Sequence, residues 1–151
     1  MEVVDTPINF FGQKPYALIM VTVFEIWRYF PLSFLFILAR MQAIDVEMYE
    51  AADMDGASPF QIFWYLSLPT LMGILSILFL LRFIWTFNKF DDIFLLTGGS
   101  ADTRTLTVNV YEQAFAVSNI GAGSAVAVLI FIFLLFFSIF FFRYFNREEG
   151  L

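Results

Sequence analysis

Three long apolar segments, separated by two polar stretches, dominate the hydrophobic pattern of the chain. They cover residues 17–39, 68–87 and 122–142. Because an α-helix rises about 1.5 Å per residue, about 20 residues are enough to cross a hydrocarbon layer about 30 Å thick. Backbone polar groups find no water in lipid, so each segment is expected to be helical. The pattern predicts an all-α, multi-pass membrane bundle with three transmembrane helices.

Charged residues interrupt the first two apolar segments but not the third. The first contains Glu25, Arg28 and Pro31, and the second contains Arg82. A charge at the centre of a membrane helix costs about 2.5–3.5 kcal/mol on insertion scales, so these side chains should face protein or water. Glu25 and Arg28 are predicted to pair with each other inside the bundle, a role we favour over lining a translocation path. Arg82 is expected to snorkel to the nearer interface.

Two polar connections link the predicted spans, at about 40–67 and 88–121. The first connection is acidic and has the composition of short helices, whereas the second contains a Thr-Gly-Gly-Ser turn signal at 97–100. Alternation of apolar and polar residues over 105–110 permits a short strand or an extended stretch there. Because the chain has three predicted spans, its termini are expected to lie on opposite sides of the membrane.

Several single residues have a structural reading and a functional one. Trp85 and Tyr111 are expected to be interfacial anchors rather than platforms for stacking a sugar. The Asp91-Asp92 pair is expected to lie in a solvated loop rather than to bind a cation, since no third ligand is fixed nearby. None of these positions predicts enzymatic chemistry by itself.

The composition indicates lipid surroundings rather than a soluble core. Hydrophobic residues make up 60% of the 151 residues, mean hydropathy is +0.79 and 22 residues are phenylalanine, whereas soluble domains are about 45–50% apolar. The net charge of −6 argues against a nucleic-acid partner. The chain has no cysteine and no histidine, which removes thiolate nucleophiles, imidazole bases and most zinc sites. We therefore expect a membrane protein that is not an enzyme.

The polar connection after the first span is punctuated as two helices with a break. Asp45 is placed to cap the first helix, and Gly56 suits the left-handed residue that ends it. Ser58 followed by Pro59 is a typical opening of a second helix, as an N-cap residue with proline in the first turn. Pro69 is predicted to mark the entry to the second span.

This connection resembles the EAA loop of binding-protein-dependent ABC importer permeases. The family pattern is Glu-Ala-Ala, three residues, Gly, nine residues, Ile, one residue and Leu-Pro. Six positions of this chain match at that spacing, and Leu66 replaces the isoleucine. Average residue frequencies give a chance match of about 10⁻⁷ per starting position. The matching residues are Glu50, Ala51, Ala52, Gly56, Leu68 and Pro69.

The resemblance extends beyond the loop. Trp27-Arg28 with Pro31, the run 90–93 and the stretch 105–115 look like the carbohydrate branch, which includes maltose, glycerol-3-phosphate and oligosaccharide permeases. A full member has about six spans, so this chain corresponds to the last three of a type I importer transmembrane domain. Residues 1–7 lack the basic region and cleavage site of a signal peptide. We expect the chain to begin partway through a larger protein.

The resemblance implies a mechanism and a set of partners. The loop at 40–67 would dock on a dimer of cytoplasmic ABC ATPases, which bind ATP and Mg²⁺ themselves, so this chain would bind no cofactor. Glu50 would pair with a basic group, Ala51 and Ala52 would pack into the ATPase cleft, and Gly56 would let the chain turn. Residues Leu66, Leu68 and Pro69 would tie the loop to the second span.

The resemblance also implies where the other partners and the termini lie. A second permease subunit, an extracytoplasmic solute-binding protein and membrane lipid would complete the assembly. Lysine and arginine outside the spans do not decide the orientation, although Arg143 and Arg147 favour a cytoplasmic C-terminus. The resemblance places the loop and the C-terminus in the cytoplasm and the connection at 88–121 outside.

Two other function classes are compatible with charged spans. A fragment of a secondary transporter or channel also carries charges and broken helices inside the membrane. A membrane scaffold without a transport role is the third class. Neither predicts the spacing of the Glu-Ala-Ala and Leu-Pro elements.

Overall fold

Six helices form the fold in a computed structural model that describes residues 9–145. No strand occurs in that part of the chain, so the prediction of an all-α membrane bundle is confirmed. Residues 1–7 and Arg147, used above to argue a truncated start and a cytoplasmic end, lie outside the described residues. The helices are α1 (Tyr16–Gln42), α2 (Val46–Met54), α3 (Pro59–Phe87), α4 (Asp91–Thr97), α5 (Leu106–Tyr111, continued by a π-helical turn at Glu112–Ala116) and α6 (Ile120–Phe145).

Helices α1, α3 and α6 are long and apolar enough to cross a membrane. They have 27, 29 and 26 residues, and each extends beyond the apolar segment that predicted it. At about 1.5 Å per residue, all three exceed the thickness of a hydrocarbon core. The shorter helices α2, α4 and α5 lie in the connections between them.

The second span differs from the prediction at its beginning. Ser58 and Gln61 form a capping box, which opens the helix directly before Pro59. From there α3 runs through a π-turn at Phe63–Ser67 into the apolar segment without a break. Pro69 therefore lies inside a continuous helix, in the first turn of the α-helical stretch Leu68–Phe87 that follows the π-turn and has the bounds of the predicted span.

A ladder of phenylalanine rings packs α3 against α6. Phe83 stacks on Phe137 with 3.9 Å between ring centroids, and Phe87 lies 5.1 Å from Phe133. Stacked and tilted aromatic pairs contribute about 0.5–1.5 kcal/mol each beyond the area they bury. Because lipid tails are as apolar as these rings, such packing provides specificity between helices where the hydrophobic effect does not.

The connection after the second span is helical, so the predicted strand or extended stretch at 105–110 is wrong. The Thr105 side chain accepts a hydrogen bond from the Val108 N–H and caps α5. Val108 is completely buried and packs against Val21 and Ile93. Leu106, two residues earlier, is 51% exposed, so the alternation of apolar and polar residues does not mark one buried face, and period-2 alternation over six residues misled the prediction.

Candidate functional site

Helix α2 carries the Glu-Ala-Ala residues on a projecting connection. Ile44 is buried just before it, whereas Glu50 and Ala51 are exposed. Asp45 occupies the N-cap position, but its side chain makes no capping hydrogen bond, so that part of the prediction is wrong. Gly56 has φ +76°, which confirms the predicted left-handed turn after the helix.

All charged residues on this projecting helix and at its two ends are acidic. Acidic residues occupy five positions from 45 to 55, and no basic residue lies among them. No side chain of this group forms an ion pair within the described residues 9–145. The surface therefore presents uncompensated negative charge that would attract a basic partner. The five residues are Asp45, Glu47, Glu50, Asp53 and Asp55.

Two side-chain hydrogen bonds connect this region to the second span. Tyr49 Oη and Ser67 Oγ are 3.1 Å apart, and Ser67 is only 5% exposed. At the end of α1, Arg40 Nε donates to the Thr70 carbonyl oxygen at 3.3 Å. Sequence reasoning missed both contacts, because nothing in the spacing of 18 and 30 residues indicates which side chains meet.

The residues predicted to tie the loop to the second span lie in and just after the π-turn of α3. The Leu68 N–H donates to the Phe63 carbonyl oxygen, five residues back, instead of four. Leu66 lies inside that turn, and Pro69 follows it. Because proline lacks an N–H and its ring crowds the carbonyl four residues earlier, a widened turn directly before it relieves the clash.

A network of charged side chains joins α1, α3 and the start of α4, away from α2. Glu25 lies 3.0 Å from Arg82 and 3.2 Å from Lys89. Asp92 pairs with both Lys89 and Arg28. Glu25 and Arg28 thus pair with other helices and not with each other, so the predicted intrahelical pair is wrong.

Two further predictions fail at this network. Arg82 is held by the Glu25 carboxylate and lies with its guanidinium 3.7 Å from the centre of the Tyr29 ring, so it does not snorkel freely. The Asp92 side chain is only 11% exposed, and therefore it does not belong to a solvated loop. The neighbouring Asp91 is exposed, so the prediction of a solvated position holds for Asp91 but not for Asp92.

Tyr29 lies at the centre of the network. Its hydroxyl accepts a hydrogen bond of 2.7 Å from Lys89 Nζ. The charged groups of Lys89 and Arg28 lie 4.7 Å and 5.6 Å from the centre of its ring. Cations over an aromatic face are stabilised by the ring quadrupole, more so when water is excluded. Tyr29 and Lys89 were not among the predicted site residues, although Lys89 lies only two residues after the predicted second span.

The electrostatics of the network favour the charged forms of Lys89 and Asp92. Burial alone would lower the pKa of Lys89, but hydrogen bonds to Asp92, Tyr29 and Glu25 outweigh it and raise that pKa above its usual 10.5. Burial likewise opposes ionisation of Asp92, but its hydrogen bond to Lys89 and the charges of Lys89 and Arg28 lower its pKa below 3.8. Both groups stay ionised at neutral pH.

A groove of about 330 Å³ opens beside this network. Its lining combines aromatic rings with an amide and charged groups, and Trp85 is partly exposed there. Tyr111, the other predicted interfacial anchor, instead packs against Phe90 and Phe94, each at 4.9 Å between ring centroids. The groove is lined by Arg28, Tyr29, Trp85, Asn88, Lys89, Phe90, Asp91 and Asp92.

Comparison with known protein sequences identifies the family of the chain. The sequence model of the family described as binding-protein-dependent transport system inner membrane component matches residues 8–149. The chain belongs to this family. The resemblance inferred from the Glu-Ala-Ala spacing is thereby confirmed.

Named relatives of this permease family are similar over most of the chain. The inner membrane ABC transporter permease protein YcjO of Escherichia coli is 42% identical over 118 residues, which are 78% of this chain and 39% of YcjO. The trehalose/maltose transport system permease protein MalF of Thermococcus litoralis is 34% identical over 135 residues, which are 89% of this chain and 46% of MalF. The chain thus spans less than half the length of either relative.

A third relative has a length closer to that of the chain. The putative ABC transporter permease protein ORF1 of a Caldicellulosiruptor species is 34% identical over 125 residues, which are 82% of this chain and 89% of that protein. Membership of this inner-membrane permease family supports a transport role rather than an enzymatic one. It also favours a permease over the channel and scaffold classes considered above.

Proposed function

We propose that the chain is part of a permease subunit of an ATP-driven, binding-protein-dependent importer for sugars or sugar-like solutes. Family membership supports the permease role, and relatives named for trehalose and maltose transport support the solute class. The proposed partners are a dimer of cytoplasmic ATPases, a second permease subunit, an extracytoplasmic solute-binding protein and lipid. ATP and Mg²⁺ would be bound by the ATPases and not by this chain.

The observation that carries the proposal is the projecting acidic helix α2. It exposes Glu50 and Ala51, lies between two spans and ends at the left-handed Gly56. A small-residue surface next to a carboxylate allows close approach by another protein and an ion pair with a basic side chain. We propose that the ATPase cleft binds this surface, and that ATP-driven closure moves α2 relative to the spans.

The charge network is proposed to hold the helices together rather than to contact the solute. Glu25, Arg28 and Arg82 each pair with an opposite charge within the network, which as a whole joins three cations to two carboxylates. A charged group inside a span is tolerated when it pairs with another or faces water. The exposed groups of the neighbouring groove, Asn88 and Asp91, are better placed to meet a passing polar solute.

Docking is tested by reversing the charge at Glu50. The whole permease is expressed with its second permease subunit and a tagged ATPase, and ATPase recovered with detergent-solubilised permease is quantified. Glu50→Lys should reduce that recovery about tenfold or more, because like charges brought together at an interface cost several kcal/mol. Asp102→Lys is the control for net charge, since it makes the same charge change at an exposed position on the connection after the second span, where Asp102 pairs with Lys14.

Two results would contradict the docking role. One is equal ATPase recovery with Glu50→Lys and with the unaltered permease. The other is an equal loss with Asp102→Lys, which would mean that net charge rather than the α2 surface governs the association.

A further inference from the structure

Helix α2 is attached to the transmembrane helices by few side-chain contacts. Within residues 9–145, the hydrogen bond between Tyr49 and Ser67 is the side-chain hydrogen bond that joins α2 to a span. Tyr49 is adjacent to Glu50 in the sequence and partly buried. Any displacement of α2 by a partner therefore acts on the second span mainly through this contact and the connecting chain.

Ser67 lies where the regular hydrogen bonding of the second span is interrupted. It is the last residue of the π-turn Phe63–Ser67, in which the backbone hydrogen bond reaches back five residues. Pro69, two residues later, has no N–H to donate to the preceding turn. Helices bend where π-turns and prolines interrupt the regular hydrogen bonds, and here the two interruptions are adjacent.

A second contact lies on the other side of Pro69. Arg40, in the last turn of α1, donates to the Thr70 carbonyl oxygen. The first span is thus joined to the second just beyond the interruption, whereas α2 is joined to it just before. The two hydrogen bonds bracket residues 68 and 69.

We propose that Tyr49 is a positioning residue that transmits movement of α2 through Ser67 into a hinge at residues 63–69 of the second span. Residues beyond the hinge stay aligned with α1 through Arg40, while residues before it follow α2. This inference rests on the proposed function, because the ATPase is the partner that would move α2. Tyr49 contacts neither nucleotide nor solute in this mechanism, and it acts only by connecting two helices.

The test removes the hydrogen bond without changing side-chain size. Tyr49→Phe, Ser67→Ala and the double variant are assembled with the second permease, the ATPases and the binding protein in proteoliposomes. Each single variant should reduce ATP hydrolysis stimulated by the binding protein about two- to tenfold, as expected for loss of one hydrogen bond. The double variant should lose no more than either single variant, since both remove the same contact.

Tyr65→Phe provides the matched control. It deletes the same hydroxyl group from a residue in the π-turn that is 81% exposed, and it should leave stimulated hydrolysis unchanged. ATPase recovery with the permease should be equal in all variants, because the docking surface is intact.

Each other outcome overturns the inference. Hydrolysis at the unaltered rate in Tyr49→Phe would show that the contact transmits nothing. Additive losses in the double variant, or reduced ATPase recovery, would show that the two residues act separately or support docking. Failure of the unaltered permease to recover ATPase would instead overturn the proposed function, and the inference with it.

Discussion

Gly56 lies where the chain leaves α2 and turns towards the second span, with φ +76°. A Cβ atom added there would meet nothing within 4 Å, so a substitution is penalised by the backbone conformation alone. For most residues this left-handed conformation costs about 1–2 kcal/mol, whereas asparagine tolerates it better. The turn, and not the space around it, is what requires glycine.

The difference between glycine, asparagine and other residues at positive φ gives a prediction for the turn at Gly56. Gly56→Val should lower ATPase recovery with the permease about five- to thirtyfold, since 1–2 kcal/mol shifts the population of the native turn by that factor. Gly56→Asn should retain most of the recovery, because its backbone reaches positive φ at lower cost. The measurement is quantitative recovery of tagged ATPase from detergent extracts. Equal losses for valine and asparagine would refute the conformational explanation.

Lys89 and Asp92 form a second residue-scale feature with a testable pH dependence. The lowered pKa of Asp92 means that its stabilising contribution is present above pH 3.8 and is lost as the pH falls through its folded pKa. The raised pKa of Lys89 means that its contribution is present below pH 10.5 and is lost as the pH rises through its folded pKa. Between pH 5 and pH 9 the pair should therefore contribute a constant stability.

The corresponding measurement is the thermal unfolding of the purified permease in detergent at pH 5, 7 and 9. Asp92→Asn should destabilise it by about 1–3 kcal/mol, because it removes the carboxylate that pairs with Lys89 and with the half-exposed Arg28. The difference from the unaltered protein should be the same at all three pH values. A difference that shrinks between pH 7 and pH 5 would show that the folded pKa of Asp92 lies above its ordinary value of 3.8, so that the network does not hold it ionised. Asp91→Asn, at the exposed neighbour, should have little effect.

At the scale of single helices, the sequence was most informative where length or a local motif decides the structure. The charge-free segment at 122–142 predicted α6, and Gly56 and Ser58 predicted a helix end and a helix start that the structure has. These signals depend on a few neighbouring residues, so one sequence contains all the information they need. Capping, helix termination and membrane spans are local properties.

The missed elements depend on contacts between distant residues. The sequence offered Glu25 a partner at Arg28, one turn away on the same helix, but the fold brings Arg82 and Lys89 to it from 57 and 64 residues away. The π-turn before Pro69 was missed for a different reason. Proline signals a break, and the structure instead widens one turn and continues the helix. Tertiary packing, which the local pattern does not contain, decides between these outcomes.

The three spans bury little of their surface within the described residues. Buried positions make up 6% of the most apolar window in α1 and 17% in each of α3 and α6. Large side chains such as Trp27 and Phe136 are 75% and 72% exposed. In a membrane such surfaces face lipid or other helices, which agrees with an inner-membrane permease that works within an assembly.

The orientation of the whole molecule decides whether α2 can meet a cytoplasmic ATPase at all. We propose that the three spans cross the membrane in alternating directions, so that α2 and the connection containing Asp102 lie on opposite sides. The chain has no cysteine, so a single introduced cysteine reports on one position of this part, and labelling of the unaltered whole permease measures any background. Asp53 on α2 and Asp102 after α4 are exposed and suit this purpose.

We predict that Asp102→Cys in the whole permease reacts with a membrane-impermeant maleimide added to intact cells from which any outer membrane has been removed. Asp53→Cys should react only after the membrane is permeabilised, because α2 is proposed to face the cytoplasm. A variant with both cysteines, labelled before and after permeabilisation, controls for differences in intrinsic reactivity between the two positions. Labelling of Asp53→Cys from outside would place the acidic helix where no cytoplasmic ATPase can reach it. Docking, the hinge at residues 63–69 and the importer mechanism would then all be excluded together, whereas the charge network would remain as a structural feature of the bundle.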